Sequence, residues 1–266
     1  MVSLTKLIQG NGSASSQGSE LTQYYQCQTG LDIYDSPQLK DLATQAVADR
    51  QLRILPLPLD SQGQLQYPAI PVCIYEDDYP GWLALDDIDH LQPIEAPNPV
   101  PTWTTGDIRD RIPQIVAYMK HAMAQPNEYR WGGVIGPNYD CSGLMQAAFR
   151  SEGIWLPRDA YQQEAFIQPI SLDQLDVGDF IFFGPKERAN HVALYLGDDR
   201  YIHSSGKTMG RNGIGIDWLP QDGATLDDPI SHAYAQLIHG AGRAIASYQP
   251  TGTPIKPIDA KVIPMT

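Results

Sequence analysis

Cys141 stands where a cysteine can act as a nucleophile. It follows Asp140 and opens a stretch, residues 141–152, that places Leu144, Met145, Ala148 and Phe149 on one helical stripe before Gly153 stops it. Asp140 is the expected N-cap. The start of a helix carries about half a positive charge, which favours thiolate over thiol. A lone buried cysteine is otherwise an inert small hydrophobe, so the cysteine alone carries little. Two histidines downstream, His191 and His203, change its weight. A nucleophilic sulfur needs an imidazole to take or share its proton, and that imidazole needs an orienting partner. Cys141, His191 and His203 therefore point to nucleophilic catalysis, with roles for all three.

The elements that must position these groups are legible around them. Residues 108–124 place Ile108, Ile112, Ile115, Val116 and Met119 near a 3.6-residue period and predict a helix ahead of the cysteine. Phe180-Ile-Phe-Phe183 reads as a buried strand. Residues 191–196 and 201–204 flank Gly197-Asp198-Asp199 and predict a hairpin that carries both histidines. Its geometry leaves two alternatives. A clean two-residue turn at Asp198-Asp199 sends His191 and His203 to opposite faces, whereas a loop centred on Gly197 sets them opposite one another on the same face. The catalytic reading requires a bulge or a three-residue loop.

Upstream the text differs. Residues 1–23 are small and polar, and read as a flexible lead-in. Residues 24–94 hold short alternating runs broken by turn signals, which predict a small antiparallel barrel, with a weak helical window over 39–53. Residues 95–104 form a proline-rich linker between this barrel and a second domain at 105–248, and residues 249–266 read as an extended tail.

Composition narrows the function. The chain of 266 residues carries 18 Lys+Arg against 31 Asp+Glu, a net charge of −13, which opposes binding to nucleic acid or anionic membrane through bulk charge. Hydrophobic content of 42% is ample for a folded core, and three cysteines are too few for a disulfide framework. The first 23 residues lack the continuous apolar run of a secretory signal, so with Met1 as the native start the expected location is the cytoplasm.

Six motifs stand in a recognisable order: Tyr129-Arg-Trp-Gly-Gly133, Asp140-Cys-Ser-Gly-Leu144, Leu156-Pro-Arg-Asp-Ala160, Gly178-Asp-Phe180, His191-Val-Ala-Leu-Tyr-Leu-Gly197 and Tyr201-Ile-His-Ser-Ser205. Together they resemble the NlpC-type cell-wall cysteine peptidases, a reduced papain-like family, over about residues 105–248. The resemblance implies an α+β fold, a small N-terminal SH3-like β-barrel followed by a papain-like catalytic domain with helices on an antiparallel sheet. It implies Cys141 as nucleophile, His191 as general base and acid, His203 as the group orienting His191, and Tyr129 as an oxyanion partner of the Cys141 backbone N–H. No metal or cofactor is implied. The implied substrates are murein-derived peptides, cut between γ-D-glutamate and a diamino acid such as meso-diaminopimelate. In barrel-bearing relatives a barrel tyrosine and the aspartate before the nucleophile hold the free amine of L-alanine; Tyr79 and Asp140 match them, while Ser142 and Arg158 are candidates for the substrate carboxylate. A peptidase without an export signal points to recycling of released peptides.

Other readings share these residues. An amidase or acyltransferase on the same scaffold uses the same three groups, and a non-catalytic wall-peptide binding protein keeps the pocket without the chemistry. Cys141, His191, His203 and Asp140 are also acceptable zinc ligand types, although they follow no short metal-binding spacing. Cys27 and Cys73 read as buried barrel thiols, and Asp198-Asp199 and Asp227-Asp228 as solvated turns.

Overall fold

The computed structural model describes residues 23–220 and 227–255. The lead-in, apart from Gln23, and the tail beyond Ile255 lie outside the described residues. The described residues divide into two compact units, one formed by residues 23–100 together with 250–255, the other by residues from Pro101 to Gln249. Among the described residues no helix is long and apolar enough to cross a membrane.

The first unit holds seven strands: β1 (Tyr24–Cys27), β2 (Leu31–Tyr34), β3 (Leu42–Ala46), β4 (Gln51–Ile54), β5 (Ala69–Ile74), β6 (Pro80–Ala84) and β7 (Leu91–Ile94). Residue alternation drives them: along β2, Leu31 and Ile33 face inward while Asp32 and Tyr34 lie between core and solvent. Tyr25, Cys27, Leu52, Ile70, Val72, Ile74 and Leu83 complete that core. The strands pair antiparallel in the order β3-β2-β6-β5-β4-β1-β7. The expected SH3-like barrel is not confirmed: among the described residues the sheet does not close, and β3 and β7 stand at its two edges. Edge strand β7 carries Pro93, which has no N–H to donate to a further strand. The helical window at 39–53 is also corrected. It holds β3, β4 and the turn between them, with Leu39 at φ 56° and Asp49 at φ 69°, left-handed conformations that a helix cannot contain. Residues past Pro250 return to this unit, where Thr251 donates from its N–H to the buried Asp78 carboxylate and Ile255 N–H donates to the Asp78 carbonyl.

The second unit opens with α1 (Thr105–Ala124), started by a capping box between Thr104 and Asp107. Then come α2 (Cys141–Ser151) and α3 (Ala160–Phe166), followed by β8 (Gln168–Ile170), β9 (Phe180–Phe183), β10 (His191–Gly197), β11 (Arg200–Ser205), β12 (Gly213–Trp218), α4 (Pro229–Ala235) and β13 (Ile238–Arg243). Six antiparallel strands form one sheet in the order β12-β11-β10-β9-β13-β8. Both faces of β9 are buried. Phe180 and Phe182 join Val192, Leu194, Leu144, Met145 and Phe149 in the core beneath α1 and α2. Ile181 and Phe183 pack with Ala193, Tyr201 and Tyr234 on the other face. A strand buried on both faces reads as an unbroken apolar run rather than an alternation, which is why Phe180-Ile-Phe-Phe183 looks as it does. The architecture is thus α+β, with α2 laid against β10 and β11.

One glycine is fixed by this packing. A Cβ on Gly143, in the first turn of α2, would fall on the Gly133 carbonyl oxygen and press on the Asp140 carboxylate. Gly143→Ala should therefore lower stability by about 1–3 kcal/mol, as overpacking does, although Ala is worth about 1 kcal/mol more than Gly in an open helix. Thermal denaturation of the variant checks this; an unchanged or raised Tm refutes the close approach.

Candidate active site

Cys141 is the first residue of α2, and the Asp140 side chain caps that helix by accepting from Gly143 N–H at 2.6 Å. The same carboxylate accepts from Gly132 N–H at 2.9 Å and from both terminal nitrogens of the buried Arg158, at 3.1 and 2.6 Å. Ser142 Oγ lies 3.3 Å from Asp140 Oδ1 and accepts from Arg158 at 2.9 Å. Asp140, Ser142 and Arg158 are thus brought together, bonded first to one another. A carboxylate offers about four lone-pair positions, and these partners use them. The network's evident work is to clamp the start of α2 to the Gly132-Gly133 turn.

The histidines meet through the hairpin. The strands pair as Gly197↔Arg200 beside the turn but as Tyr195↔Tyr201 and Leu194↔Ile202 farther along, so Leu196 is an extra residue. Asp198 and Asp199 both take positive φ, 52° and 57°, as a two-residue type I′ turn demands. That turn alone would have parted the histidines; the bulge at Leu196 reverses the parity of β10 and returns them to one face. His191 Nε2 and His203 Nδ1 stand 2.7 Å apart, with both rings buried. Two imidazoles bonded directly to each other cannot both aim those nitrogens at one ion, so the geometry does not favour the zinc reading.

Two residues of the site escaped sequence reasoning. Tyr234 of α4 packs its ring on His191 at 4.7 Å and on His203 at 4.8 Å between centroids. Nothing in its sequence context pointed to it. Asp217 of β12 accepts from His203 Nε2 at 2.7 Å and is bonded on its other oxygen by Arg211. Its signal was present: Asp217 is an acid in step with Gly213 and Gly215 along a strand whose intervening residues, Ile214 and Ile216, are apolar.

The electrostatics depart from expectation at the sulfur. Burial, with the Asp140 charge beside it, pushes the Cys141 thiol up to about 12, against the expected lowering at a helix start. Backbone N–H groups of Val192 and Ser142 facing the sulfur offset this only in part. Burial and the neighbouring His203 hold His191 well below its ordinary value. Burial lowers His203 too, with Asp217 opposing. The free site therefore rests as neutral thiol and neutral imidazole, because desolvation of two ions outweighs half a helix charge. Burial, with the Asp140 carboxylate adding to it, raises the Tyr129 phenol well above 10, so it keeps its proton and can donate. Tyr79 lies in the other unit, in the turn between β5 and β6, and is buried.

A resting neutral thiol predicts a particular alkylation profile. Iodoacetamide should modify Cys141 at a rate that climbs about tenfold per pH unit from 7 to 9, since only the thiolate reacts. Mass spectrometry of the modified peptides measures this, and a level rate from pH 6 to 9 would reveal a stored thiolate. Cys27 and Cys73, with no exposure, should react more slowly than Cys141.

Residues 126–221 match the NlpC/P60 family. The Gamma-D-glutamyl-L-lysine dipeptidyl-peptidase of Bacillus subtilis (strain 168) is 38% identical over 86 residues, 30% of this chain and 29% of that protein. The murein DD-endopeptidase MepS/murein LD-carboxypeptidase of Escherichia coli (strain K12) is 33% identical over 100 residues, 37% of this chain and 50% of that protein. The chain thus spans between about a third and a half of the length of these relatives. The crystal structure of an NlpC/P60 family protein from Bacillus cereus ATCC 10987 aligns with a TM-score of 0.41 at 23% identity, over 85% of this chain and 64% of that one.

Proposed function

On a chain whose residues 126–221 form an NlpC/P60 domain, we propose that Cys141, His191 and His203 make up a cysteine peptidase site acting on murein stem peptides. The observation that carries this reading is the 2.7 Å bond between His191 and His203, on the sheet whose β10 packs under the helix that begins at Cys141. His191 Nε2 is occupied by that bond, which leaves Nδ1 as the nitrogen that exchanges a proton with the sulfur.

The steps follow from these positions. His191 Nδ1 takes the Cys141 proton as the sulfur attacks the scissile carbonyl carbon. The Cys141 backbone N–H and the Tyr129 hydroxyl donate to the oxyanion. The C–N bond then breaks, and His191 returns its proton to the leaving amine, leaving a thioester. Water attacks the thioester while His191 takes its proton; the C–S bond breaks, and the acid product and the free thiol result. With a neutral resting pair, proton transfer belongs to the reaction itself, a contribution of roughly 10²–10⁴ in rate.

The bond we assign is that between γ-D-glutamate and meso-diaminopimelate in peptides whose L-alanine amine is free, in the recycling of released wall peptides. The names of the two curated relatives, a γ-D-glutamyl-L-lysine peptidase and a murein endopeptidase, support the substrate class. A net charge of −13 suits small released peptides better than an anionic wall polymer. Asp140 would receive the alanine ammonium. Asp140 already answers to Arg158, so the ammonium would share a carboxylate rather than neutralise a bare one. N-acetylation should then cost at the low end of a lost charge pair, about 2 kcal/mol or roughly 30-fold in kcat/KM.

The test is mass spectrometry of L-Ala-γ-D-Glu-meso-diaminopimelate incubated with the protein. Expected products are L-Ala-γ-D-Glu and free diaminopimelate, none from Cys141→Ala or His191→Ala, and a reduced but measurable amount from His203→Asn. Undiminished turnover by Cys141→Ala would refute the peptidase reading; equal cleavage of free and N-acetylated peptides would refute the role of Asp140.

A further inference from the structure

Asp217 is buried, with 1% of its surface exposed. Ile214 and Ile216 turn toward the core beneath α1 and α2, so Gly213, Gly215 and Asp217 occupy the other face of β12, the one that carries His203. Three hydrogen bonds then run in line: Arg211 to Asp217 Oδ1, His203 Nε2 to Asp217 Oδ2 at 2.7 Å, and His191 Nε2 to His203 Nδ1 at 2.7 Å. The strand is shaped to admit the arginine. A Cβ on Gly215 would fall inside the Arg211 guanidinium, so the arginine reaches the acid only across a residue without a side chain.

The far end of this chain dictates every proton in it. A guanidinium only donates and does not lose its proton, and an ionised carboxylate only accepts. His203 must therefore carry its proton on Nε2, which leaves a lone pair on Nδ1. That lone pair can bond His191 only if His191 carries its own proton on Nε2. We propose that Asp217, held by Arg211, is a positioning residue that sets the tautomers of His203 and His191 in turn and so leaves His191 Nδ1 bare to act as the base. The proposal rests on the reading of Cys141 as nucleophile and His191 as its base. Two neutral imidazoles are required, and burial lowers both histidines in that direction. The phenols that surround the pair, Tyr201 and Tyr234, are raised by burial and offer no competing anion.

Histidine-labelled full-length protein, read by long-range ¹H–¹⁵N correlation at neutral pH, tests the assignment without substrate. Both rings should show the proton on Nε2. In Asp217→Asn the amide oxygen should turn to Arg211 and its NH₂ to His203 Nε2, which reverses both tautomers. His191 then carries its proton on Nδ1, and kcat should fall about 10²–10⁴-fold, the worth of a general base, with KM little changed. Asp217→Glu, which restores a carboxylate, should keep the Nε2–H tautomers and recover at least tenfold over Asn. Wild-type protein with the proton on His191 Nδ1 would overturn the proposal, as would an Asp217→Asn protein that keeps both Nε2–H tautomers, whether active or not. Wild-type protein with the expected tautomers but no hydrolysis would instead overturn the peptidase reading while leaving the proton assignment standing.

Discussion

The bulge at Leu196 moves the β10–β11 ladder by one residue, and that shift decides which face of the sheet His191 and His203 share. Strand side chains alternate with a period of two, so one residue is the smallest change that can bring the two rings together and the smallest that can separate them. Everything downstream depends on it. The 2.7 Å bond between the rings, the packing of Tyr234 on both and the bond from His203 to Asp217 all exist on one face of the sheet. A register error in this hairpin would dismantle the site and turn the buried Tyr201 and Ile202 of β11 each to the wrong face of the sheet.

Burial shapes the chemistry as strongly as register. Cys141 sits at a helix start, which favours a thiolate, yet it is covered by protein and stands next to a carboxylate, and desolvation prevails. The carboxylate is there because the helix needs a cap and the Gly132-Gly133 turn needs an acceptor. Arg158 balances that buried charge, so the acid, the arginine and Ser142 form one structural knot around Cys141. Such a knot is costly to break, since removing one partner of a buried pair strands the other. The site thus holds a neutral sulfur in a fixed position until a substrate arrives.

Much of this was legible beforehand, for physical reasons that differ by element. α1 buries a single stripe, so its period of 3.6 survives in the sequence; α2 is buried nearly all round, and its period shows only in the large apolar Leu144, Met145 and Phe149. Phe180-Ile-Phe-Phe183 is buried on both faces and announces itself as a run. The hairpin was visible, but its register was not, because a bulge costs one residue and leaves no mark in composition. Asp217 and Arg211 were missed because their meaning lies in a partner strand, where only the pairing of His203 with Gly215 brings the acid within reach. Over residues 39–53 the backbone misled. Leu39 and Asp49 adopt left-handed conformations that ordinary residues seldom take, so a weakly helical text yields two strands. Whether these strands close on themselves depends on their two edges, and Pro93 in β7 marks one of them.

The first unit is assembled from two stretches far apart in the chain, with the whole of Pro101–Gln249 inserted between them. Asp78, almost fully buried there, takes hydrogen bonds from Thr251 and Gly252, and its carbonyl takes one from Ile255. During vectorial synthesis those donors leave the ribosome only after the whole of Pro101–Gln249 has been made. For that interval a nascent first unit lacks these hydrogen bonds, each worth about 0.5–1.5 kcal/mol net. The stretch Pro101–Gln249 can fold before those donors exist. The first unit is therefore completed after it, which makes full assembly of the first unit a sign that the whole of Pro101–Gln249 has been made.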